Sequence, residues 1–112
     1  MKKIEAIMRI EKFPEVKEQL KKVGYPGLTI SRVEGHGRQK GRVQQFRGRQ
    51  YKREFLPKMK IEIVVKDKDI EDVVKAISTT ARTGEIGDGK IFIISVQDAV
   101  RIRTEERGEV VL

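Results

Sequence analysis

Two segments of strict alternation, each followed by a helical pattern, constrain the fold of this chain more than any other feature. Within residues 2–10 apolar side chains occupy every second position, and the segment "KMKIEIVVKD" at 58–67 does the same. This period is typical of a strand that buries one face. Apolar residues then recur at helical spacing in both cases, over 13–23 and over 70–77. The sequence therefore predicts a strand followed by a helix, twice.

Two further segments complete the order of elements. "LTISRVEG" at 28–35 is β-branched and short, and "IFIISV" at 91–96 is a continuous apolar run suited to a central strand. The order β-α-β-β-α-β predicts an α+β fold, the ferredoxin-like sandwich in which two helices cover one face of an antiparallel sheet. Residues 97–112 form a tail with room for a short fifth strand. With 112 residues, the chain is predicted to be one domain.

The same periodicities define the predicted core and the helix ends. Pro14 suits the first turn of the first helix and Gly24 its end, while Asp67 and Asp69 precede the second helix, where carboxylates are favoured. The core positions are Ile4, Ala6, Met8, Ile10, Met59, Ile61, Ile63 and Val65 in the strands, and Phe13, Val16, Leu20, Val23, Ile70, Val73, Val74 and Ile77 in the helices.

Positive charge is concentrated between the second and third predicted strands. The chain carries a net charge of +8, and residues 37–60 hold nine basic side chains against the single acid Glu54. The remainder is therefore neutral, and the positive field belongs to one segment that suits a polyanion or an acidic partner. At roughly 18 residues the connection is far longer than a usual hairpin loop, and loops of that length are generally functional or disordered.

The glycine-rich stretch "TGEIGDGK" at 83–90 is a candidate phosphate loop. Its glycines allow main-chain N-H groups to approach an anion closely, and Lys90 adds a positive charge. Its spacing is close to the Walker A motif, but Ile91 occupies the position of the magnesium-binding hydroxyl and a strand follows instead of a helix. We therefore reject the Walker A interpretation and keep two alternatives, a different phosphate cradle and a plain turn.

Two further features suit anions, and none suits catalysis. "GHGRQKG" at 35–41 has the wrong glycine spacing for a dinucleotide fingerprint, but Arg38 and Lys40 could hold an anion. Arg101 and Arg103 would project from one face if they lay on a strand, where a solvated edge is the alternative. His36 is the sole histidine and has no obvious partner for catalysis or metal binding, cysteine is absent, and nothing resembles a Cys/His metal cluster or a triad of nucleophile, base and orienting residue. We predict that the chain is not an enzyme.

Four segments resemble the PII family of nitrogen-regulatory signal proteins, and the similarity runs through essentially the whole chain. They are "TGEIGDGKIFI" at 83–93, "GHGRQKG", "PKMKIEIVV" at 57–65 and "VRIRT" at 100–104. The resemblance implies one PII-like domain over 1–112 that assembles as a homotrimer, with nucleotide held in clefts between subunits. It further implies a T-loop hairpin at about 37–55, a B-loop at about 82–90 and a C-terminal tail at about 97–112.

The resemblance also implies a set of ligand-binding residues. Mg-ATP would permit 2-oxoglutarate to bind near Gln39, Lys40 and Lys58, with Gln39 supplying an oxygen to the magnesium ion. The residues implied to contact ATP or ADP are Thr29, Gly37, Arg38, Val64, Gly87, Asp88, Gly89, Lys90, Arg101 and Arg103. These effectors would bias the T-loop and so select its partners.

The implied partner is an ammonium transporter, or glutamine synthetase or its regulators, with a cytoplasmic protein recruited to the inner face of the membrane when the partner is the transporter. Tyr51 stands where some relatives are uridylylated, but Arg49 and Gln50 depart from the surrounding consensus, so modification and partner contact both stay open. The alternative function is an RNA-binding module that uses the basic loop. It lacks the pair of stacking aromatics expected on the sheet, and nucleic acid is not the expected partner.

Overall fold

A computed structural model describes residues 1–35, 44–46, 49–51 and 56–112. Two α-helices and four long strands follow the predicted order, and a short strand pair stands in the connection between the second and third of them. The strands are β1 (Lys2–Met8), β2 (Thr29–Gly35), β3 (Gln44–Phe46), β4 (Arg49–Tyr51), β5 (Leu56–Val65) and β6 (Gly89–Ser95), and the helices are α1 (Phe13–Lys22) and α2 (Ile70–Ala81). The α+β architecture is therefore confirmed.

The four long strands form one antiparallel sheet in the order β2-β5-β1-β6. Ile4 in β1 stands opposite Ile63 in β5 and opposite Ile93 in β6, so β1 pairs on both sides. Each helix connects strands that are not adjacent, and both helices therefore lie on the same face. This topology is that of the ferredoxin-like sandwich.

The prediction that "IFIISV" forms a central strand is wrong for the single chain. β6 lies at the edge of the sheet, and Phe92, Ile93 and Ile94 are 46%, 50% and 42% exposed. A continuous apolar run indicates that both faces of a strand are apolar. It does not indicate how many neighbouring strands pair with it. The two inner positions belong to β5 and β1, which both carry charged residues on one face.

The core lies between the helices and one face of the sheet, as the periodicities predict, but Val23, also predicted to be in the core, follows the end of α1 and is 37% exposed. Val16 and Leu20 from α1 and Val73 and Ile77 from α2 are fully buried, with Ala81 beside them. The sheet contributes the predicted alternating residues Ile4, Ala6, Met8, Met59, Ile61, Ile63 and Val65. β1 ends at Met8, and Ile10 packs on the core from a short 3-10 helix, Ile10–Lys12.

The helix ends differ in detail from the prediction. Pro14 lies in the first turn of α1, and Gly24 takes φ +96° just after the helix, as expected. Asp67 and Asp69 lie in a 3-10 helix before α2, and their side chains do not cap it. Asp67 instead binds the amino terminus at 2.9 Å, and Asp69 accepts a hydrogen bond from the Tyr25 hydroxyl.

The tail does not form the fifth strand, and that prediction is wrong. A single β-bridge joins Val100 to Arg107, and a 3-10 helix follows at Gly108–Val111. Between the bridged residues the chain turns back at Glu105, which has φ +62° and donates its N-H to the Arg101 carbonyl.

The connection between β2 and β5 is described only at its short hairpin. β3 and β4 pair antiparallel, with Gln44 opposite Tyr51. Most of the predicted T-loop lies outside the described residues. No helix in the described part of the chain has the length and apolar character needed to cross a membrane.

Candidate functional site

The glycine-rich loop at 83–89 is organised around the carboxylate of Asp88. That carboxylate accepts hydrogen bonds from the N-H groups of Thr83 and Gly84, both at 2.9 Å, and from the Thr83 hydroxyl. The Thr83 hydroxyl oxygen also accepts the N-H of Glu85 at 3.1 Å. The loop is therefore closed by its own side chains, an arrangement that a phosphate cradle and a turn both allow.

The same contacts lower the pKa of Asp88. Burial disfavours the charged form, but the donors from Thr83 and Gly84, together with Arg9, outweigh it and hold the pKa of this carboxyl well below its ordinary range. Asp88 is therefore ionised at neutral pH and acts as an internal anchor.

Gly89 joins the loop to β6 at a position where only glycine fits. It has φ +106°, and a Cβ atom there would lie 1.7 Å from the Ile7 carbonyl oxygen of β1. Gly87 and Gly84 also have positive φ values, of 105° and 90°. This backbone places Lys90 at the start of β6, next to the loop. Lys90 is exposed and stands opposite Ile7 of β1.

Lys58 reaches the loop from β5. Its side chain is buried, and its ammonium group donates to the Gly87 carbonyl at 2.5 Å. A residue that the family resemblance implies for 2-oxoglutarate is thus in direct contact with the loop that the resemblance implies for nucleotide phosphates. Buried ammonium, exposed Lys90 and glycine N-H groups are donors that suit a polyanionic ligand.

Thr29 and Val64 lie together in a separate part of the site. They line a cleft of about 870 Å³, next to Tyr25, Glu62 and the chain end at Leu112. The hydroxyl of Tyr25 also accepts the Lys66 N-H at 3.3 Å, which ties the wall of the cleft to the end of β5. The cleft has the size and mixed polarity of a small-molecule site.

Arg101 and Arg103 do not share a strand face, so the geometry expected for them is wrong. Both lie in the turn of the tail. The guanidinium of Arg101 binds Glu106 at 2.5 Å and the Val110 carbonyl at 3.4 Å, whereas Arg103 is exposed. A phosphate that binds Arg101 must therefore share it with Glu106, whose pKa Thr104 and Arg101 lower.

The remaining predicted residues belong to the long connection. Gly37, Arg38, Gln39 and Lys40 lie outside the described residues, among them the implied magnesium ligand and two of the three residues implied for 2-oxoglutarate, so these assignments stay predictions. Tyr51 ends β4. In the described part of the chain no group of three His, Cys, Asp or Glu side chains could hold a metal ion.

The open face of the sheet carries a compact group of four charges. Lys3 binds Glu62 at 2.8 Å and Glu5 at 3.6 Å, and Lys60 binds the same two carboxylates at 3.5 and 3.8 Å. The hydrogen bond with Lys3 lowers the pKa of Glu62, and the same bond raises the pKa of Lys3. Two positive and two negative charges cancel here, so the net positive charge lies elsewhere.

Sequence reasoning missed two residues that shape the site. Arg9 contacts Asp88 and the Ile86 carbonyl, and Tyr25 contacts Asp69. Their partners are 44 to 79 residues away in the chain. Local periodicity carries no signal for such contacts, and Arg9 has the pattern of an ordinary solvent-facing strand residue.

The sequence model of the family described as "Nitrogen regulatory protein P-II" matches residues 1–106. The chain is 55% identical over 108 residues to the nitrogen regulatory protein P-II of Microchaete diplosiphon, with 96% of each chain covered. It is 53% identical over 109 residues to nitrogen regulatory protein P-II 2 of Methanothermobacter thermautotrophicus, covering 97% of this chain and 95% of the relative. The chain belongs to the P-II family of nitrogen regulatory proteins.

Membership confirms the resemblance and the coarse function. The family consists of regulatory signal transducers that act through small-molecule effectors and through regulatory interactions with targets, so the chain has a nitrogen-regulatory signalling role and is not an enzyme. The RNA-binding alternative receives no support from these matches.

Proposed function

We propose that this chain senses ATP, ADP and 2-oxoglutarate and passes their binding state to a target protein through its long connection at 37–55. One observation carries the proposal: the buried Lys58 ammonium, expected at the 2-oxoglutarate site, touches the Gly87 carbonyl of the loop expected to hold phosphate. A ligand at either place acts on the other through this contact, which gives the two sites a physical means of coupling.

The donor set supports a nucleotide polyphosphate. Lys90 and Lys58 carry positive charges, and glycine N-H groups carry partial positive charge. The carboxylate of Asp88, in contrast, is directed into the loop. Thr29 and Val64 line a cleft that suits the base and sugar. When bound with ATP, magnesium would take its oxygens from the nucleotide, from 2-oxoglutarate and from Gln39.

We further propose a homotrimer in which neighbouring subunits complete the nucleotide cleft. In one chain β6 leaves three large apolar side chains about half exposed, and Ile102 in the tail is 96% exposed. An apolar edge strand of this kind is unfavourable in water unless another chain covers it. Arg101 and Arg103 lie in the same exposed tail, so an assembly that buries Ile102 would also carry them to a neighbour.

The nucleotide part of the proposal is tested by replacing Lys90. We expect Lys90→Gln to weaken ATP binding about tenfold in calorimetry, because one charge-assisted contact to phosphate is lost. Lys75→Gln is the matched control, because Lys75 is exposed on α2 and belongs to no predicted site. Equal affinities for the two variants would contradict a phosphate site at the glycine loop.

The proposed control of a target protein is tested by changing basic residues of the connection at 37–55. The proposed target is an ammonium transporter at the inner face of the membrane, or glutamine synthetase or its regulators, and the protein itself is cytoplasmic. We expect the double change Arg47→Gln and Arg49→Gln to weaken control of the target while ATP affinity stays within twofold. A variant that controls the target as wild type does would show that another surface makes the contact.

A further inference from the structure

Arg9 connects the glycine-rich loop to the framework of the sheet. It follows the last residue of β1, and its side chain is only 10% exposed. The guanidinium donates from Nε to a carboxylate oxygen of Asp88 at 3.1 Å, and from Nη2 to the Ile86 carbonyl at 3.0 Å. One planar group therefore holds the loop at two points, two residues apart.

The base of Arg9 is itself fixed. Its φ and ψ of −63° and 137° are those of extended chain, and its carbonyl accepts the N-H of Lys12 at 3.1 Å, which starts the 3-10 helix. The side chain of Arg9 therefore extends from a rigid junction between β1 and the 3-10 helix. The contact of Arg9 with the glycine loop fixes the position of the loop, because the backbone of Arg9 has little freedom of its own.

The contacts of Asp88 separate two roles. Thr83 and Gly84 close the loop on itself through three hydrogen bonds to that carboxylate, and none of the three involves Arg9. Removing the guanidinium would leave the three donors of this closure in place but would remove the attachment to β1. The loop would lose its fixed place relative to Lys58 and Lys90, and its internal hydrogen bonds would open more often.

We propose that Arg9 is a positioning residue of the nucleotide site, which holds the glycine loop in its ligand-ready place before the phosphates arrive. This inference rests on the proposed function. Pre-organised donors bind more tightly because less ordering is required at the moment of binding. Arginine suits the task better than lysine, because its fork spans Asp88 and the Ile86 carbonyl together, whereas one ammonium is a single point charge.

The test compares three variants by calorimetric titration with Mg-ATP. We expect Arg9→Met to weaken binding about tenfold and Arg9→Lys to lie between Arg9→Met and wild type. Arg107→Met is the matched control, since Arg107 binds Asp98 at 3.0 Å in an exposed pair outside the loop. The control should bind within twofold of wild type.

Amide hydrogen exchange on the ligand-free protein supplies a second readout. In Arg9→Met we expect exchange at Thr83 and Gly84 to accelerate at least about fivefold, with the amide of Phe92 in β6 unchanged. Faster exchange throughout β6 would show a general loss of stability and contradict the positioning role. Weaker binding without faster loop exchange would contradict it as well.

The two proposals fail in different ways. If wild type binds Mg-ATP and Arg9→Met binds it equally well, the role of Arg9 is overturned and the proposed function stands. If wild type binds no nucleotide, the proposed function and the ligand role of Arg9 are both overturned, and the exchange rates decide only whether Arg9 fixes the loop.

Discussion

Gly89 shows how one residue sets the relation between the glycine loop and the sheet. A Cβ atom there would overlap the Ile7 carbonyl oxygen, and φ is +106°. We expect Gly89→Ala to lower the free energy of unfolding by about 3 kcal/mol or more, since backbone strain and a main-chain clash add. Denaturant unfolding followed by circular dichroism measures the loss.

Gly84→Ala is the control for this prediction. Gly84 also has a positive φ, of 90°, but open space surrounds the position of its Cβ atom. Gly84→Ala should lower the free energy of unfolding by only about 1–2 kcal/mol, because only the backbone conformation is unfavourable for alanine. Similar losses for the two variants would mean that the close contact with Ile7 does not determine the choice of glycine at position 89.

Asp88 makes stability depend on acidity. A carboxyl whose pKa is lowered in the folded protein stabilises it above the pKa of the unfolded chain, near about 3.9, and the contribution is lost as the pH falls toward the folded value. We therefore compare the midpoint of denaturant unfolding at several pH values. Between pH 4 and pH 2 the midpoint of wild type should fall more steeply than the midpoint of Asp88→Asn. Parallel midpoints over this range would contradict the anchor role of the carboxylate.

At the scale of elements, the contact between α2 and the sheet should dominate stability. Ile77 is 1% exposed and packs in the core, so Ile77→Ala should lower the free energy of unfolding by about 2–5 kcal/mol. Val23 follows α1 and is 37% exposed, so Val23→Ala should cost less than about 1 kcal/mol. Comparable losses in urea unfolding would show that the core is assigned wrongly.

The sequence predicts these elements well where period and burial coincide. The alternation in β1 and β5 gives their buried faces, and the spacing in α1 and α2 gives theirs. The edge position of β6 could not be predicted, because an apolar run is compatible with a sheet centre and with a strand that another chain covers. The tail was predicted wrongly, because its turn at Glu105 depends on a positive φ in a residue that rarely adopts one.

The site is predictable to a similar extent. Glycine spacing and Lys90 indicate the anion loop, because the chemistry of such loops is local. The contacts of the loop with Arg9 and Lys58 depend on the sheet order, which places β1 next to β6 and β5 on the other side of β1. No local pattern encodes that neighbourhood.

At the scale of the whole molecule, the exposed apolar edge should be buried in the proposed trimer. We expect wild type to sediment with three times the mass of one chain, and Ile94→Asp to sediment as a single chain, because a carboxylate on β6 would be desolvated in the interface. Lys75→Asp on the exposed face of α2 should not alter the mass. A trimeric Ile94→Asp variant would contradict the assignment of β6 to the interface.

The most direct test of the central claim is a calorimetric titration of the wild-type protein with 2-oxoglutarate, in the presence and in the absence of Mg-ATP. The contact of Lys58 with the glycine loop predicts that ATP binds saturably and that the dicarboxylate binds only when Mg-ATP is present. Binding of 2-oxoglutarate with equal affinity in both conditions, or no binding of either ligand, would contradict the account of a coupled effector sensor.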